Sequence, residues 1–239
     1  MTMKTTEEIG RDLDVWLGDR TPPTDATVRA EAFTYSPGQW RRWWPSGLDQ
    51  PEAVSTSDAR RSISRSDLYQ GAVGLQTPTQ AVELYMRMSG WGCETRPYPT
   101  WRAARALSAV GVGDRLLEAH QLVRTGKTAE AFTQMQLGGE YRVKGFGASF
   151  FTRWLYFSAY DAWDASWGPA PLILDQRVAA TIGYRRWAWS VDEYLYYLDF
   201  CEKLQALWRP DEPTHVIEYA LFQASKRGLL GVRQLQPQA

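Results

Sequence analysis

Apolar residues recur at three- and four-residue steps along most of this chain. Val191, Leu195, Leu198, Cys201, Leu204 and Trp208 form one such row, which predicts a long helix with a single buried stripe. Thr79 to Met88, Thr100 to Val110, Gly113 to Val123 and Thr128 to Leu137 follow the same period and predict four more helices. Gly111, Gly126, Gly138-Gly139 and Pro210 separate them, as helix-stopping residues should. No stretch alternates long enough to argue a substantial sheet, and no internal repeat is visible. The pattern predicts an all-α fold, with Pro22-Pro23 and Gly47 to Pro51 as the linker candidates.

Composition narrows the class. A chain of 239 residues can bury one core as a single domain, 1–239, or as two closely packed helical lobes. Lys+Arg 27 against Asp+Glu 27 leaves no global charge to suggest nucleic acid, but the local distribution is uneven. Residues 141–186 carry Arg142, Lys144, Arg153, Arg177, Arg185 and Arg186 against Asp161, Asp164 and Asp175. Residues 187–218 carry seven acids against Lys203 and Arg209. A basic segment followed by an acidic one suits a protein that presents one side to a polyanion. Cys93 and Cys201 with His120 and His215 supply neither a disulfide framework nor a zinc or four-cysteine iron–sulfur cluster. The start Met-Thr-Met-Lys-Thr-Thr-Glu-Glu lacks an apolar signal core, and no apolar run approaches membrane-spanning length; the expected location is the cytoplasm, away from membranes. Gly126-Lys127-Thr128 reads as a turn between helices, because Gln121 stands where a phosphate loop needs its first glycine.

The candidate chemistry lies in two short segments. Val143-Lys144-Gly145-Phe146-Gly147-Ala148-Ser149-Phe150-Phe151-Thr152 places a G-x-G turn at the start of an aromatic-rich helix. Glycine freedom there exposes successive N–H groups at a helix N-terminus, an anion site to which Lys144 adds a full charge. Downstream, Pro171-Leu172-Ile173-Leu174-Asp175-Gln176-Arg177-Val178 ends an apolar run on one acid. Asp175 falls at a predicted helix N-cap, where the helix dipole favours its anionic form. Such a carboxylate can stabilise positive charge developing on a sugar or activate an attacking water. Taken singly, a G-x-G before a helix is common and an Asp at a helix start is usually a cap; their order is what joins them.

These segments resemble the bacterial helix-hairpin-helix DNA glycosylase family with the 8-oxoguanine DNA glycosylase fold, in which a Gly-Leu-Gly-x-x-Phe-x-Thr-Lys hairpin precedes a Leu-Tyr-Phe helix and a Pro-Leu-Ile-Leu-Asp segment. Here the hairpin and helix read Gly145-Phe146-Gly147-Ala148-Ser149-Phe150-Phe151-Thr152-Arg153-Trp154-Leu155-Tyr156-Phe157. Met88-Ser89-Gly90-Trp91-Gly92, Arg96-Pro97-Tyr98-Pro99-Thr100 and Val216-Ile217-Glu218-Tyr219-Ala220-Leu221-Phe222 resemble three further family segments. The resemblance makes residues 77–225 the glycosylase core, with residues 1–76 as an N-terminal part it does not cover. It implies DNA binding through Lys144, Gly145, Phe146, Gly147, Ser149, Arg153 and Arg177, catalysis by Asp175, double-stranded DNA with a modified base as the partner, and no cofactor beyond a monovalent cation at the hairpin.

Two departures shape the expected mechanism. Family members that also cleave the strand carry a Lys two positions after the second hairpin glycine, and that position is Ser149. A hydroxyl cannot form the Schiff base that strand cleavage needs, so the resemblance implies a monofunctional enzyme that leaves an abasic site, with no lyase activity. Arg153 replaces the motif's final Lys, preserving charge but changing hydrogen-bond geometry. Asp175 follows Ser149 by 26 positions (175 − 149), longer than one helix and a short loop require. The excess contains Trp163 and Trp167, which read either as core cover or as a wall of a base pocket.

Substrate identity rests on aromatic residues. Trp40, Arg41, Arg42, Trp43 and Trp44 concentrate stacking and phosphate-clamping groups, and with Trp91, Trp163 and Trp167 they are the base-pocket candidates; for most of the 12 tryptophans core packing is the competing role. The sugar-compatible aromatics and the missing lysine favour a hypermodified phage base such as glucosylated hydroxymethylcytosine, and hence base excision by base flipping in antiviral defence. The alternatives are repair of an oxidised purine such as 8-oxoguanine, a non-catalytic helix-hairpin-helix DNA-binding module, and a nucleoside hydrolase.

Overall fold

The computed structural model describes residues 4–55, 58–184 and 188–226. Thirteen α-helices among these residues surround one continuous core, and the only sheet among them is a two-stranded antiparallel ribbon, β1 (Ala32–Tyr35) against β2 (Arg61–Ser64), in the register Phe33 to Ile63. The helices before and between these strands are α1 (Thr6–Leu17), α2 (Asp25–Arg29), α3 (Pro37–Trp43) and α4 (Glu52–Ser55); those after are α5 (Arg65–Ala72), α6 (Pro78–Cys93), α7 (Pro97–Ala106), α8 (Val112–Val123), α9 (Thr128–Met135), α10 (Ala148–Ala159), α11 (Gln176–Thr181), α12 (Val191–Trp208) and α13 (His215–Lys226). The predicted all-α class is the observed one. Helix starts are chemically explicit: Thr5 with Glu8, Ser64 with Asp67, Thr77 with Gln80 and Ser190 with Glu193 each form a reciprocal capping box, satisfying amides that a first helical turn leaves without partners.

α10 is the centre of the molecule. Phe151, Thr152, Trp154, Leu155, Tyr156, Phe157, Ser158 and Ala159 are all buried, so this helix is enclosed on nearly every side, as an aromatic-rich helix with so little polar surface must be. α5, α6, α8 and α9 pack around it. At its far end the chain turns through two short 3-10 segments, Tyr160–Ala162 and Ala165–Trp167. It then returns alongside α10 as the extended run Pro171 to Leu174.

That returning run is buried yet belongs to no sheet, so its backbone polar groups need partners from side chains. The Tyr194 hydroxyl donates to the Leu172 carbonyl at 2.9 Å and the Tyr197 hydroxyl to the Ile173 carbonyl at 2.8 Å. Thr152 Oγ1 accepts the Leu174 amide at 3.1 Å and donates to the Ala148 carbonyl at 2.8 Å. This corrects the predicted stripe of α12. Tyr194, Tyr197 and Phe200 take buried places beside Leu198, Cys201 and Leu204, while Leu195 is exposed. An aliphatic count misses tyrosines whose rings enter the core so that their hydroxyls can reach main-chain carbonyls.

A buried polar cluster ties the N-terminal elements to α10 and α13. The Arg65 guanidinium donates to Glu31 at 2.9 Å, to Glu218 at 2.8 Å and to the Tyr156 hydroxyl at 3.0 Å. Tyr69 and Tyr156 hydrogen-bond to each other, and both hydroxyls lie 3.1 Å from His215 Nδ1, whose ring meets Asp25 through Nε2 at 2.7 Å. Burial pushes the Glu218 carboxyl up to about 7 even beside Arg65, and pushes His215 down to about 4. Four of these seven residues, Asp25, Glu31, Arg65 and Tyr69, come before residue 77, so the N-terminal part shares the core of the rest.

Candidate active site at the hairpin

The segment between α9 and α10 folds as the glycine motif requires, with one change of detail. Gly145 takes φ +89°, in the left-handed region that favours glycine, whereas Gly147 is the N-cap of α10 at φ −78°, ψ 176°. Neither backbone angle nor crowding within the chain requires glycine at 147, since a Cβ built there would meet nothing within 4 Å. No side chain caps α10, so its N-terminus keeps its partial positive charge turned outward. A groove of about 420 Å³ opens at this end, lined by Arg102, Arg142, Gly145, Gly147, Ala148 and Trp189 among others. Lys144 is exposed beside it and Ser149 is half-buried in the first turn. Arg102 lies in α7, remote from the hairpin in the chain, so no local sequence signal marks it.

Phe146 lines the floor of this groove but turns its ring into the core. Its side chain is buried against Tyr85, with ring centroids 5.1 Å apart, and its amide donates to the Val143 carbonyl at 3.1 Å. An aromatic between the two glycines anchors the turn to the core, which is the physical reason it stands there.

Asp175 is the N-cap of α11, and its two oxygens differ. Oδ1 accepts the amides of Arg177 and Val178 at 2.8 and 2.9 Å. Oδ2 accepts no hydrogen bond among the described residues and faces Arg153, 3.9 Å from a guanidinium nitrogen. Both side chains are nearly enclosed, at 15% exposure for Arg153 and 12% for Asp175. Arg153 is thus turned into the protein, toward Asp175. Its guanidinium sits over the Phe150 ring at 5.4 Å and against Gly92, where a built Cβ would approach it to 2.4 Å, and its Nε is buried without a partner. Arg177, in the first turn of α11, is exposed.

Thr152 brings the hairpin and the acid together. Through its hydroxyl the first-turn carbonyl of α10 and the residue before Asp175 share one atom, so the carboxylate is located relative to the helix N-terminus rather than by a flexible loop.

The tryptophan candidates fall elsewhere. Trp40 is fully buried; Arg41 is paired with Asp58 and reaches the Val54 carbonyl; Trp43 packs against the core, and Trp44 donates to the Leu48 carbonyl at 2.9 Å. Only Arg42, lying over Trp43 at 5.7 Å, is exposed. Trp91 is buried edge-on to Phe33 and Phe157, with its Nε1 donating to the Glu31 carbonyl. Trp163 and Trp167 stack edge to face at 5.2 Å and lie at the far end of α10, Trp167 against Gly126 in the turn between α8 and α9. Tyr160 stands seven positions after Arg153, about 10 Å of axis at the helical rise. The 160–168 loop is the connection that lets the chain double back along α10. Arg185 and Arg186, counted in the basic segment, lie outside the described residues.

Among the described residues no group of His, Cys, Asp or Glu is placed to hold a metal ion, and no helix there is long and apolar enough to cross a membrane. A monovalent cation at the hairpin would depend on main-chain carbonyls, of which that of Val143 is already engaged by the Phe146 amide; no catalytic step is assigned to it.

Comparison with curated proteins and with solved structures returned no match. A family model described as "Putative 8-oxoguanine DNA glycosylase OGG-like protein" matches residues 26–222, extending the similarity through the ribbon, α3 and α5 that the hairpin motifs do not reach. With the hairpin, the carboxylate and the helical fold in place, the chain belongs to this OGG-like family of DNA glycosylases.

Proposed function

We propose that this chain is a monofunctional DNA glycosylase that hydrolyses the N-glycosidic bond of a modified base in duplex DNA and leaves an abasic site. One observation carries the reading: Asp175 has one oxygen fixed by two amides and the other accepting no hydrogen bond from any described residue, in a nearly enclosed site. Two fixed amides hold the carboxylate still, and the second oxygen can face an electron-poor sugar carbon or take a proton from water. The exposed N-terminus of α10, with Lys144, Arg102 and Arg142 near it, supports a seat for DNA phosphates. Ser149 at the lysine position supports water, not an amine, as the nucleophile.

For substrate we put glucosylated hydroxymethylcytosine of phage DNA first, which would make the chain an antiviral enzyme, and 8-oxoguanine second. Trp40 is buried and favours neither substrate, so base release decides between them. Purified protein is incubated with phage DNA containing glucosylated hydroxymethylcytosine, with an 8-oxoguanine duplex and with unmodified DNA, and the released bases are read by mass spectrometry. One modified base should appear, without a borohydride-trapped protein adduct. A trapped adduct would overturn the monofunctional assignment. Duplex binding with no base released from any DNA would favour the non-catalytic module.

A further inference from the structure

Hydrolysis of an N-glycosidic bond separates charge twice over. The sugar becomes electron-poor, and the departing base carries away the bonding electron pair. Asp175 answers the first charge; the residue that answers the second is not assigned by the motif.

We propose that Arg153 is the electrophile that stabilises the departing base as an anion, an inference that rests on the glycosylase reading and deepens it. Four features of its placement support this role. First, its guanidinium lies 3.9 Å from Asp175 Oδ2, beyond hydrogen-bond distance, so the two charges are neighbours without consuming each other's hydrogen-bonding capacity. Second, Arg153 makes no hydrogen bond to any described residue, and its Nε is buried without a partner; an enclosed donor group without acceptors is costly unless something binds there. Third, it is held in place by packing, over the Phe150 ring and against Gly92, where the absence of a Cβ makes room for it. Fourth, a fixed cation and a fixed anion about 4 Å apart match the dipole that forms when the bond between C1′ and the base nitrogen lengthens. Preorganised charge in a site shielded from water is the strongest common form of such stabilisation.

The step balances without a cofactor. The C1′–N bond breaks with its electron pair retained on the base nitrogen, and the base leaves as an anion accepting hydrogen bonds from Arg153. Water adds its oxygen to C1′ and gives one proton to Asp175 Oδ2. That proton passes to solvent, and the base anion takes one from solvent. A guanidinium does not release its proton in proteins, so Arg153 acts as an electrostatic partner rather than a general acid. The planar fork also offers a departing ring two adjacent donors, which the Lys at the corresponding family position does not.

The test is the dependence of rate on leaving-group acidity. Single-turnover release is measured for the base that the unmutated protein excises and for halogenated analogues of that base, which leave more easily. Arg153→Met keeps the apolar stem and removes the charge. It should slow release of the parent base about 100-fold or more, slow the most acidic analogue less than about fivefold, and leave duplex affinity within about threefold. Arg153→Lys should fall between. Gly92→Ala, which displaces the guanidinium without removing it, should steepen the same dependence and keeps the proposal testable if Arg153→Met does not fold. An equal loss for every analogue would reduce Arg153 to a packing residue, and a loss confined to duplex affinity would make it a phosphate contact; either result overturns the proposal. Asp175→Asn is run beside them: full activity in that variant would sink the Asp175 reading, while the slope seen with Arg153→Met would still stand or fall by itself.

Discussion

Replacing Thr152 with Val tests how the carboxylate is held. Valine matches threonine in shape, so the core around position 152 keeps its packing, but the Leu174 amide loses its acceptor at 3.1 Å and Ala148 loses a donor at 2.8 Å. Thr152 and Leu174 are both fully buried, so water cannot replace the missing partner. A buried amide left without an acceptor costs about 1–3 kcal/mol. At roughly 2–4 °C per kcal/mol for a domain of this size, the melting temperature should fall by roughly 2–12 °C. The activity effect should be larger than the stability effect suggests, because Asp175 is the next residue along; a displacement on the order of 1 Å can cost about 100-fold in rate. Thermal melting, duplex binding and single-turnover base release are measured on Thr152→Val and Thr152→Ser. Val should lower release by about tenfold or more at unchanged duplex affinity, and Ser should recover most of it because the hydroxyl remains. A Val variant that melts and reacts like the unmutated protein would show that the hydroxyl bridge positions nothing.

Three other expectations can be checked with the same preparations. Asp175→Asn keeps a capping oxygen and should change stability by only a few tenths of a kcal/mol, about 1 °C, whereas Asp175→Ala should cost about 1 kcal/mol; both should abolish base release, and equal melting of Ala and Asn would deny the capping role of Oδ1. Gly145→Ala strains a left-handed residue and should destabilise by about 1–2 kcal/mol, while Gly147→Ala should leave melting unchanged or slightly raised and weaken duplex binding; the reverse order would mean that the two glycines have been assigned the wrong tasks. Burial beside Arg124 holds His120 down to about 4, against 6.5 when unfolded. The unfolded chain therefore binds the extra proton between those values, and the stability that His120 contributes is complete above pH 6.5 and lost as pH falls toward 4. His120→Gln should lose less melting temperature than the unmutated protein between pH 7 and pH 5, and parallel pH profiles would contradict the assignment.

Local chemistry explains which parts of this fold were legible in sequence. α7, α8 and α9 begin and end within a few residues of their predicted limits because glycine or proline breaks stand at their ends and their apolar faces repeat cleanly. Asp175 as an N-cap was legible for the same reason, since capping depends on residues only two and three positions away. The four-residue strands of the ribbon were not, because so short a run cannot display alternation. Nor were the pins on the returning segment. Tyr194, Tyr197 and Thr152 act across 22 to 24 positions, and nothing in a local window marks a tyrosine hydroxyl as the partner of a distant carbonyl.

The site divides in the same way. The hairpin and the acid could be read in order along the chain, but the direction of Arg153 could not. A basic residue just after an anion-binding turn reads as a phosphate contact, and only the packing of α10 against α6 shows it turned toward Asp175. The tryptophans misled for a related reason. A cluster of Trp and Arg between helix breakers looks like a stacking surface, yet Trp40 is the buried anchor of α3 and Arg41 is bound to Asp58. Composition identified an aromatic-rich protein without indicating which rings remain accessible.

Asp175-dependent base excision is tested most directly by the yield of abasic sites. Modified phage DNA and the 8-oxoguanine duplex are treated with the unmutated protein and with Asp175→Asn at matched duplex occupancy, and aldehyde-reactive labelling and strand length are read on the same samples. Abasic sites on intact strands are expected in one of the two DNAs with the unmutated protein, and none with Asp175→Asn. Equal labelling by both proteins, or strands cut wherever a base is lost, would contradict this expectation.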